Sequence, residues 1–321
     1  MGNRIPERKR VRRNRSSIVV QPLVTQKQSS FHAIFCKLAD MKKTSLFFFC
    51  CLFTFSLLAQ DLQVMTFNIR LNTERDSLNA WPHRKDNVAA QILFHDVHLL
   101  GVQEALHNQM VDLRERLPQF KSIGVGRDDG KEKGEYSAIF YDTTRLQLLQ
   151  SSTFWLSLTP EVAGSKSWDA AITRIVSWAQ FRDKKTRKTF YAFNTHFDHI
   201  GKEARRESAK LLLQKVASLA GKTPAIVTGD FNAVPSDEPI MVITDNANPL
   251  HLTDAKSVSA TPHYGPSGTF TGFGSKESND LPIDYIFLKG PWKVKKHATL
   301  SQTWGGRFAS DHFAVLATLS L

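Results

Sequence analysis

The chain has 321 residues, 41% of them hydrophobic, and a formal net charge of +12, which allows a sizeable core and excludes an intrinsically disordered protein. Residues 1–60 hold 11 Lys or Arg against two acids, so residues 61–321 carry 31 basic against 28 acidic side chains, weak evidence for nucleic-acid binding. All three cysteines, Cys36, Cys50 and Cys51, precede Asp61, which removes disulfides, a thiol nucleophile and a thiolate zinc site from the remainder.

Residues 1–40 are basic and lack apolar periodicity. They read as a disordered leader or an upstream start that is not used, with an organelle-targeting leader as the competing reading. Met41, the preferred initiator, opens "MKK" ahead of an apolar run from Leu46 to Ala59 and the sequence "LLAQD". Residues 41–60 therefore read as a signal peptide cut after Ala59 or Gln60, and a secreted or periplasmic protein is expected. An uncleaved membrane anchor through residues 46–59 is the alternative.

From Asp61 onwards no low-complexity linker or short repeat interrupts the chain, and a single domain over 61–321 is expected. "QVMTFNIR" alternates Met65, Phe67 and Ile69 with Val64, Thr66 and Asn68, a strand whose one face closes on a polar residue. A helix is predicted from Arg84 ("RKDNVAAQILFHD"), then a strand, "HLLGVQE", with Leu100, Val102 and Glu104 on one face. "NQMVDLRERL" from Asn108 is a second helix. "RDKKTRK", residues 182–188, reads as a solvated hairpin turn, after which "KTFYAFNTHFDH" puts Phe190, Ala192, Asn194 and His196 in line. A third helix starts at Lys202, with Leu211, Leu212, Lys215, Val216 and Leu219 as its stripe and Gly221 as its stop. "AIVTGDFN" aligns Ile226, Thr228, Asp230 and Asn232; "LPIDYIFL" sets Ile283, Tyr285 and Phe287 opposite Asp284; "ASDHFAVLATLSL" opens a last strand with Asp311 and His312. Strands alternating with longer helices make the chain α/β.

Asp230 and Asn232, at i and i+2, point the same way and could face one ligand, although both residue types also favour turns. Six apolar strands ending in Asn, Glu, His or Asp would cost several kcal/mol unless a metal or partners satisfied those groups, so convergence on one site is expected. With oxygen donors dominant and no Cys, the expected ion is hard, Mg²⁺ or Mn²⁺. A zinc pair of His196 and His199 is not expected, because residues i and i+3 of a strand face opposite sides.

Taken in order, "TFNIR" with Asn68, "GVQE" with Glu104, "NTHFDH" with His196, "TGDFN" with Asp230 and Asn232, "PIDYIF" with Asp284 and "SDH" with Asp311 and His312 resemble the endonuclease/exonuclease/phosphatase family. The match runs from about Val64 to the C-terminus. The resemblance implies a four-layer α/β sandwich, two mixed β-sheets packed face to face with helices outside, and a rim site that hydrolyses phosphoesters by direct attack of water. It implies Glu104 as principal Mg²⁺ ligand with Asn68 beside it and Asp311 in or next to the ion's shell. Asp230 and Asn232 would orient the attacking water and a phosphate oxygen. His312, steered by Asp284, would be acid/base or phosphate donor, and His196 would donate to the phosphate.

Tyr136 stands where the apurinic-endonuclease branch has a phosphate-contacting Tyr, with packing as the alternative. Arg174 is expected as a phosphate clamp or a sheet-surface ion pair. Arg84 is similar in place to the "W..R" stretch of the deadenylase-like branch, although an Arg at a helix start beside a Trp needs no ligand. Arg70 stands where the apurinic branch has an acid, which argues against a second metal ligand there. The first reading of the substrate is nuclease or phosphodiesterase-type; a sugar, inositol or lipid headgroup phosphate is the alternative, with residues 124–136 and 159–171 as the rim. A non-catalytic phosphate-binding module is the third reading, disfavoured because Glu104, Asp230 and His312 are all present. No protein partner is indicated, and a monomer is expected.

Overall fold

The structure, a computed structural model, describes residues 61–274 and 281–321. The expected leader and signal peptide, residues 1–60, lie outside the described residues. In chain order the strands are β1 (Leu62–Asn68), β2 (Leu99–Ala105), β3 (Phe120–Ile123), β4 (Tyr136–Asp142), β5 (Leu146–Trp155), β6 (Ile175–Asp183), β7 (Thr189–His196), β8 (Ala225–Asp230), β9 (Thr253–Asp254), β10 (Asp284–Lys289), β11 (Lys293–Leu300), β12 (Thr303–Trp304), β13 (Arg307–Phe308) and β14 (Ala314–Ser320). The helices are α1 (Lys85–Phe94), α2 (His107–Arg116), α3 (Lys202–Ala220) and α4 (Glu238–Thr244).

Two mixed six-stranded sheets result, ordered β11-β14-β1-β2-β4-β3 and β5-β6-β7-β8-β10-β9. Each holds one parallel pair, β1 with β2 and β7 with β8, and each pair is joined by a crossover through a helix, α1 or α3. The remaining neighbours are antiparallel, including β6 with β7, whose connection is the predicted 182–188 turn.

Period-2 alternation sorts the side chains into layers. On β1 and β2, Met65, Phe67, Leu100 and Val102 pack with Val88 and Ile92 of α1 and Met110 and Leu113 of α2. On β7, β8 and β10, Phe193, Val227, Tyr285 and Phe287 pack with Leu212, Leu213 and Val216 of α3 and Ile240 of α4. The opposite faces, with Leu62, Val64, Phe181, Phe190, Ile226 and Val315, meet between the sheets. This is the expected four-layer sandwich. The buried stripe of α3 sits slightly off the predicted one: Leu213 is buried, while Leu211 and Leu219 lie at the margin. Gly221 ends α3 at φ 54°, its N–H donating to Ala217 O.

Between the sheets the apolar layer gives way to a band of amides and hydroxyls. Gln103 Nε2 donates to Asn194 Oδ1 (2.6 Å) and Thr66 Oγ1 (3.0 Å), and Thr228 Oγ1 donates to Asn194 Oδ1 (3.0 Å). Asn194 Nδ2 donates across to Val102 O and Ala138 O, both 2.9 Å. Every donor and acceptor of Asn194 is thereby used, which a buried amide requires. The sheets approach closely enough here that a Cβ on Gly101 would overlap Thr228 Oγ1 and Asn194 Oδ1. Glycine at 101 is a packing requirement.

Candidate active site

Beyond the amide band the same inward-facing rows end in acids and imidazoles. Asn68 closes the row Leu62, Val64, Thr66; His196 closes Phe190, Ala192, Asn194; Asp230 closes Ile226, Thr228; Asp284 starts the row on β10, paired in register with Asp230. His312 lies just before β14. Glu104 arrives differently. Simple alternation puts it with Leu100 and Val102 on the helix-facing side, but the β2–β4 register shifts between Val102 and Ala105 and Glu104 takes φ 63°. The bulge re-aims the carboxylate into the site.

The groups form one connected set. Asn68 Nδ2 donates to Glu104 Oε1 (3.0 Å) and Asp230 Oδ2 (2.9 Å), bridging the two carboxylates from a fully buried position. Asn232 N donates to Asp230 Oδ1 (2.9 Å), and Asn232 Nδ2 donates to Phe197 O and His196 Nε2, both 3.0 Å. His196 Nδ1 faces Glu135 Oε2 at 4.0 Å, and Nε2 lies 3.4 Å from Asp230 Oδ2. His312 Nδ1 is 2.9 Å from Asp284 Oδ2, which leaves Nε2 facing Asp230 Oδ2 at 3.8 Å. Asp284 Oδ1, also buried, has no hydrogen-bond partner.

Electrostatics separate these groups. Burial and then the Asp284 carboxylate push Asp230 up to about 7, against the pull of His312. Burial opposes the charged form of His312, yet Asp284, with Asp230 and Asp311 nearby, pushes it up to about 10. His196 goes the other way: burial and the Arg174 guanidinium hold it well below the usual imidazole range, so it is neutral, as acceptance from Asn232 requires. Burial also raises Glu135 and Asp311.

Glu104, Glu135, His196, Asp230, Asn232, Asp311 and His312 line a cavity of about 350 Å³ together with Arg70, Leu71, Ile172, Arg174, His199, Phe270 and Ile283. Arg174 is 4% exposed. Its Nη2 meets His199 Nδ1 at 3.2 Å and its Nε lies 3.9 Å from Asp198 Oδ2, but Nε and Nη1 have no hydrogen-bond partner. Two unpaired guanidinium donors in a buried wall are costly unless an anion arrives to accept from them.

Two sets of groups could hold a cation. Asp230, Asp284 and His312 offer ligand atoms within 4.8 Å of one another, but the short His312–Asp284 contact makes these a proton-holding pair with a third acid beside it. The second set is the carboxylates of Glu104 and Asp311, which face the cavity near one shared guanidinium, while Asn68 turns its Nδ2 to Glu104 and accepts from Arg70 N at Oδ1 (3.0 Å), supporting the set from behind. Arg70 lies 3.9 Å from Glu104 and 3.7 Å from Asp311, and its two-point bond is to Asp76 at 3.0 and 3.1 Å. Those bonds to Asp76, followed by Asp311 and Glu104, hold its charge more firmly than usual. An all-oxygen set with surplus negative charge fits a hard divalent ion.

Every expected site residue except Tyr136 either lines the cavity or touches a residue that does. The Tyr136 hydroxyl donates to Lys131 O (3.0 Å) and lies 3.1 Å from His107 Nδ1, supporting the 124–136 loop. Arg84 is buried with its guanidinium among the carbonyls of Ile69, Arg70, Asn79 and Ala309, tying the loop after β1 to the one before β14. Three contributors escaped sequence reading. Glu135, bonded by Arg127 Nη1 at 2.6 Å, faces His196. Asp198 accepts N–H bonds from Ala171, Ile172, Ile200 and Gly201, which sets the loop carrying Ile172 and Arg174. Ser310 Oγ donates to Asn68 O at 2.7 Å. Asp198 and Ser310 sit inside the quoted motifs "NTHFDH" and "SDH", and Glu135 directly precedes Tyr136, the one signal that could have singled them out.

A rim with clustered carboxylates, a charged and a neutral imidazole and unpaired guanidinium donors has the make-up of a phosphoryl-transfer site. The profile of the Endonuclease/Exonuclease/phosphatase family matches residues 65–312, and the chain belongs to that family. It is similar to the solved structure of the endonuclease/exonuclease/phosphatase from Bacteroides vulgatus, with 43% identity, 82% of this chain and 100% of that one covered, and a TM-score of 0.78. It is also similar to the mannosyl-6-phosphatase of Bacteroides thetaiotaomicron, with 38% identity, 81% and 100% coverage and a TM-score of 0.77. Protein angel of Drosophila melanogaster is 23% identical over 293 residues, 84% of this chain and 80% of that protein. Members of the family are phosphoesterases, and this chain is a phosphoric ester hydrolase.

Proposed function

We propose that the protein is a divalent-metal-dependent phosphatase acting on a small phosphorylated sugar. The observation that carries this is the buried Arg174 with two unpaired donors in a cavity of about 350 Å³, near the lower limit of small-molecule pockets, about 300 Å³. A terminal phosphate with one ring attached suits that space. A stacked polynucleotide does not: among the described lining residues Phe270 is the one ring besides imidazoles, so no run of rings is available for bases. The relative named mannosyl-6-phosphatase supports the same choice over a nuclease-type phosphodiesterase.

Glu104 and Asp311, with Asn68 bridging behind, would hold Mg²⁺ or Mn²⁺, which supplies charge neutralisation on the phosphate oxygens when bound. The chain's own groups do the rest. Asp230, raised towards neutrality, accepts a proton from the water that attacks phosphorus, while the amide of Asn232 fixes the Asp230 carboxylate through its N–H. The His312 imidazolium, anchored by Asp284, donates from Nε2 to the phosphoryl group. Arg174 donates from Nε and Nη1 to the remaining phosphate oxygens. One P–O ester bond breaks and one P–O bond to the water oxygen forms; the leaving alkoxide takes a proton from solvent, and Asp230 returns the one it accepted to solvent.

The test is phosphate release from mannose 6-phosphate beside bis-para-nitrophenyl phosphate and single-stranded DNA, each with Mg²⁺ and with EDTA. Monoester turnover that EDTA abolishes is expected, and Glu104→Gln should remove it. Preference for the diester or DNA would establish the nuclease reading instead. We also propose export through residues 41–60; a mature N-terminus at Gln60 or Asp61 checks it.

A further inference from the structure

The geometry points to a sugar-ring subsite at the cavity mouth, formed by the face of Phe270 and the imidazole of His199, that selects a pyranose carrying its phosphate on an exocyclic carbon. It rests on the phosphatase reading above and names the groups that read the alcohol portion.

The floor and the mouth of the cavity differ in depth. Asp230, Arg174, His196 and His312 are each 5% exposed or less, whereas Phe270 is 47% exposed although it lines the same cavity. A phosphate reaching the floor leaves its alcohol portion at the level of Phe270, and a methylene between phosphate and ring would span the step. Phe270 is held for that task. Its ring stands edge-on to His312 with centroids 5.0 Å apart, and its backbone bridges to His312. The preceding Thr269 Oγ1 accepts from Ile283 N (3.1 Å) and Asp284 N (3.2 Å), which sets Ile283 beside Phe270 as one apolar wall. A half-exposed aromatic ring fixed at both ends offers the C–H face of a sugar a flat partner.

The second half of the subsite is polar. His199 Nδ1 accepts from Arg174 Nη2 at 3.2 Å, so the ring carries its proton on Nε2. His199 lines the cavity and is exposed at its rim, where that N–H is available to a hydroxyl oxygen. An apolar wall and a hydrogen-bond donor with a fixed tautomer, above an anion-binding floor, match a ring with one C–H face and a hydroxylated edge. A site made to hydrogen-bond a hydroxyl discriminates against substrates that lack it.

The experiment compares kcat/KM for mannose 6-phosphate, the acyclic glycerol 3-phosphate and adenosine 5′-monophosphate in the wild type, Phe270→Ala, Phe270→Tyr and His199→Ala, all with Mg²⁺ and with melting curves as folding controls. The ratio of mannose 6-phosphate to glycerol 3-phosphate should fall about tenfold in Phe270→Ala, chiefly through KM, and about fivefold in His199→Ala, with Phe270→Tyr keeping the wild-type ratio. A ratio that stays at the wild-type value in both alanine variants overturns the subsite, as does a wild type that favours the nucleotide. A wild type that hydrolyses none of the three overturns the phosphatase reading itself, a result the variants play no part in.

Discussion

The two ends of the layer between the sheets are built by the same strands and finished in opposite ways. At one end Leu62, Val64, Phe181, Phe190, Ala317 and Leu319 close a dry contact. A few residues further along the same inward rows come Asn68, His196 and Asp230, with Asp284 beside Asp230 and His312 just before β14 of the other sheet. The dry end supplies stability by burying apolar area; the rim consumes some of it, since Asp230, Asp311 and Glu135 are all carboxyls that burial disfavours in their charged form. The contrast teaches that the rim's electrostatics are tolerated because the rest of the layer is apolar and the Asn194 amide at the centre of the band between them has every donor and acceptor paired.

That comparison can be broken from the rim first. Asp230→Asn should cost about three orders of magnitude in kcat while raising the melting temperature, because the repulsion from Asp284 disappears; a variant that melts lower would contradict the claimed strain. Phe190→Ala at the dry end should do the reverse, costing about 3–5 kcal/mol in chemical denaturation and leaving kcat of the folded protein intact. Gly101→Ala tests the band between them. Displacing Asn194 and Thr228 should cost about 1–3 kcal/mol and lower activity as well, and a loss confined to stability would mean the band does not position the rim.

A further expected effect is one of pH. His297 is buried against His263, Nδ1 to Nδ1 at 2.9 Å, with Lys256 nearby, and burial followed by those two charges lowers it to about 3. The folded value lies below the unfolded one of about 6.5, so the unfolded chain binds the proton first. Stability from this site is complete above pH 6.5 and is lost as pH falls towards 3, at up to about 1.4 kcal/mol per pH unit. The slope of melting temperature against pH in that window should flatten in His297→Gln.

Much of this was legible because strand periodicity is short and strict. The rows ending in Asn68, His196 and Asp230 follow from alternation alone, and three helices appear where their sequences place them. What was hidden depends on contacts distant in sequence or on backbone departures from the period. Glu104 belongs by alternation to the wrong face, and a bulge corrects it. Glu135 and Asp198 matter through His196 and through four loop N–H groups, partners that no spacing reveals. α4 and the strands β3, β5, β9 and β11 to β13 were also unforeseen; α4, β3, β9, β12 and β13 are too short for a clear pattern, and β5 and β11 are edge strands whose outer positions are polar.

The mutual fit of Gly101, Asn194 and Thr228 also constrains how this scaffold can be recombined. A chimaera of two homologues joined between positions 101 and 194 draws its glycine from one parent and its amide from the other, so crossover points before 101 or after 228 are the ones that keep the trio together. Libraries cut at those two places should yield more folded hybrids than libraries cut within the interval.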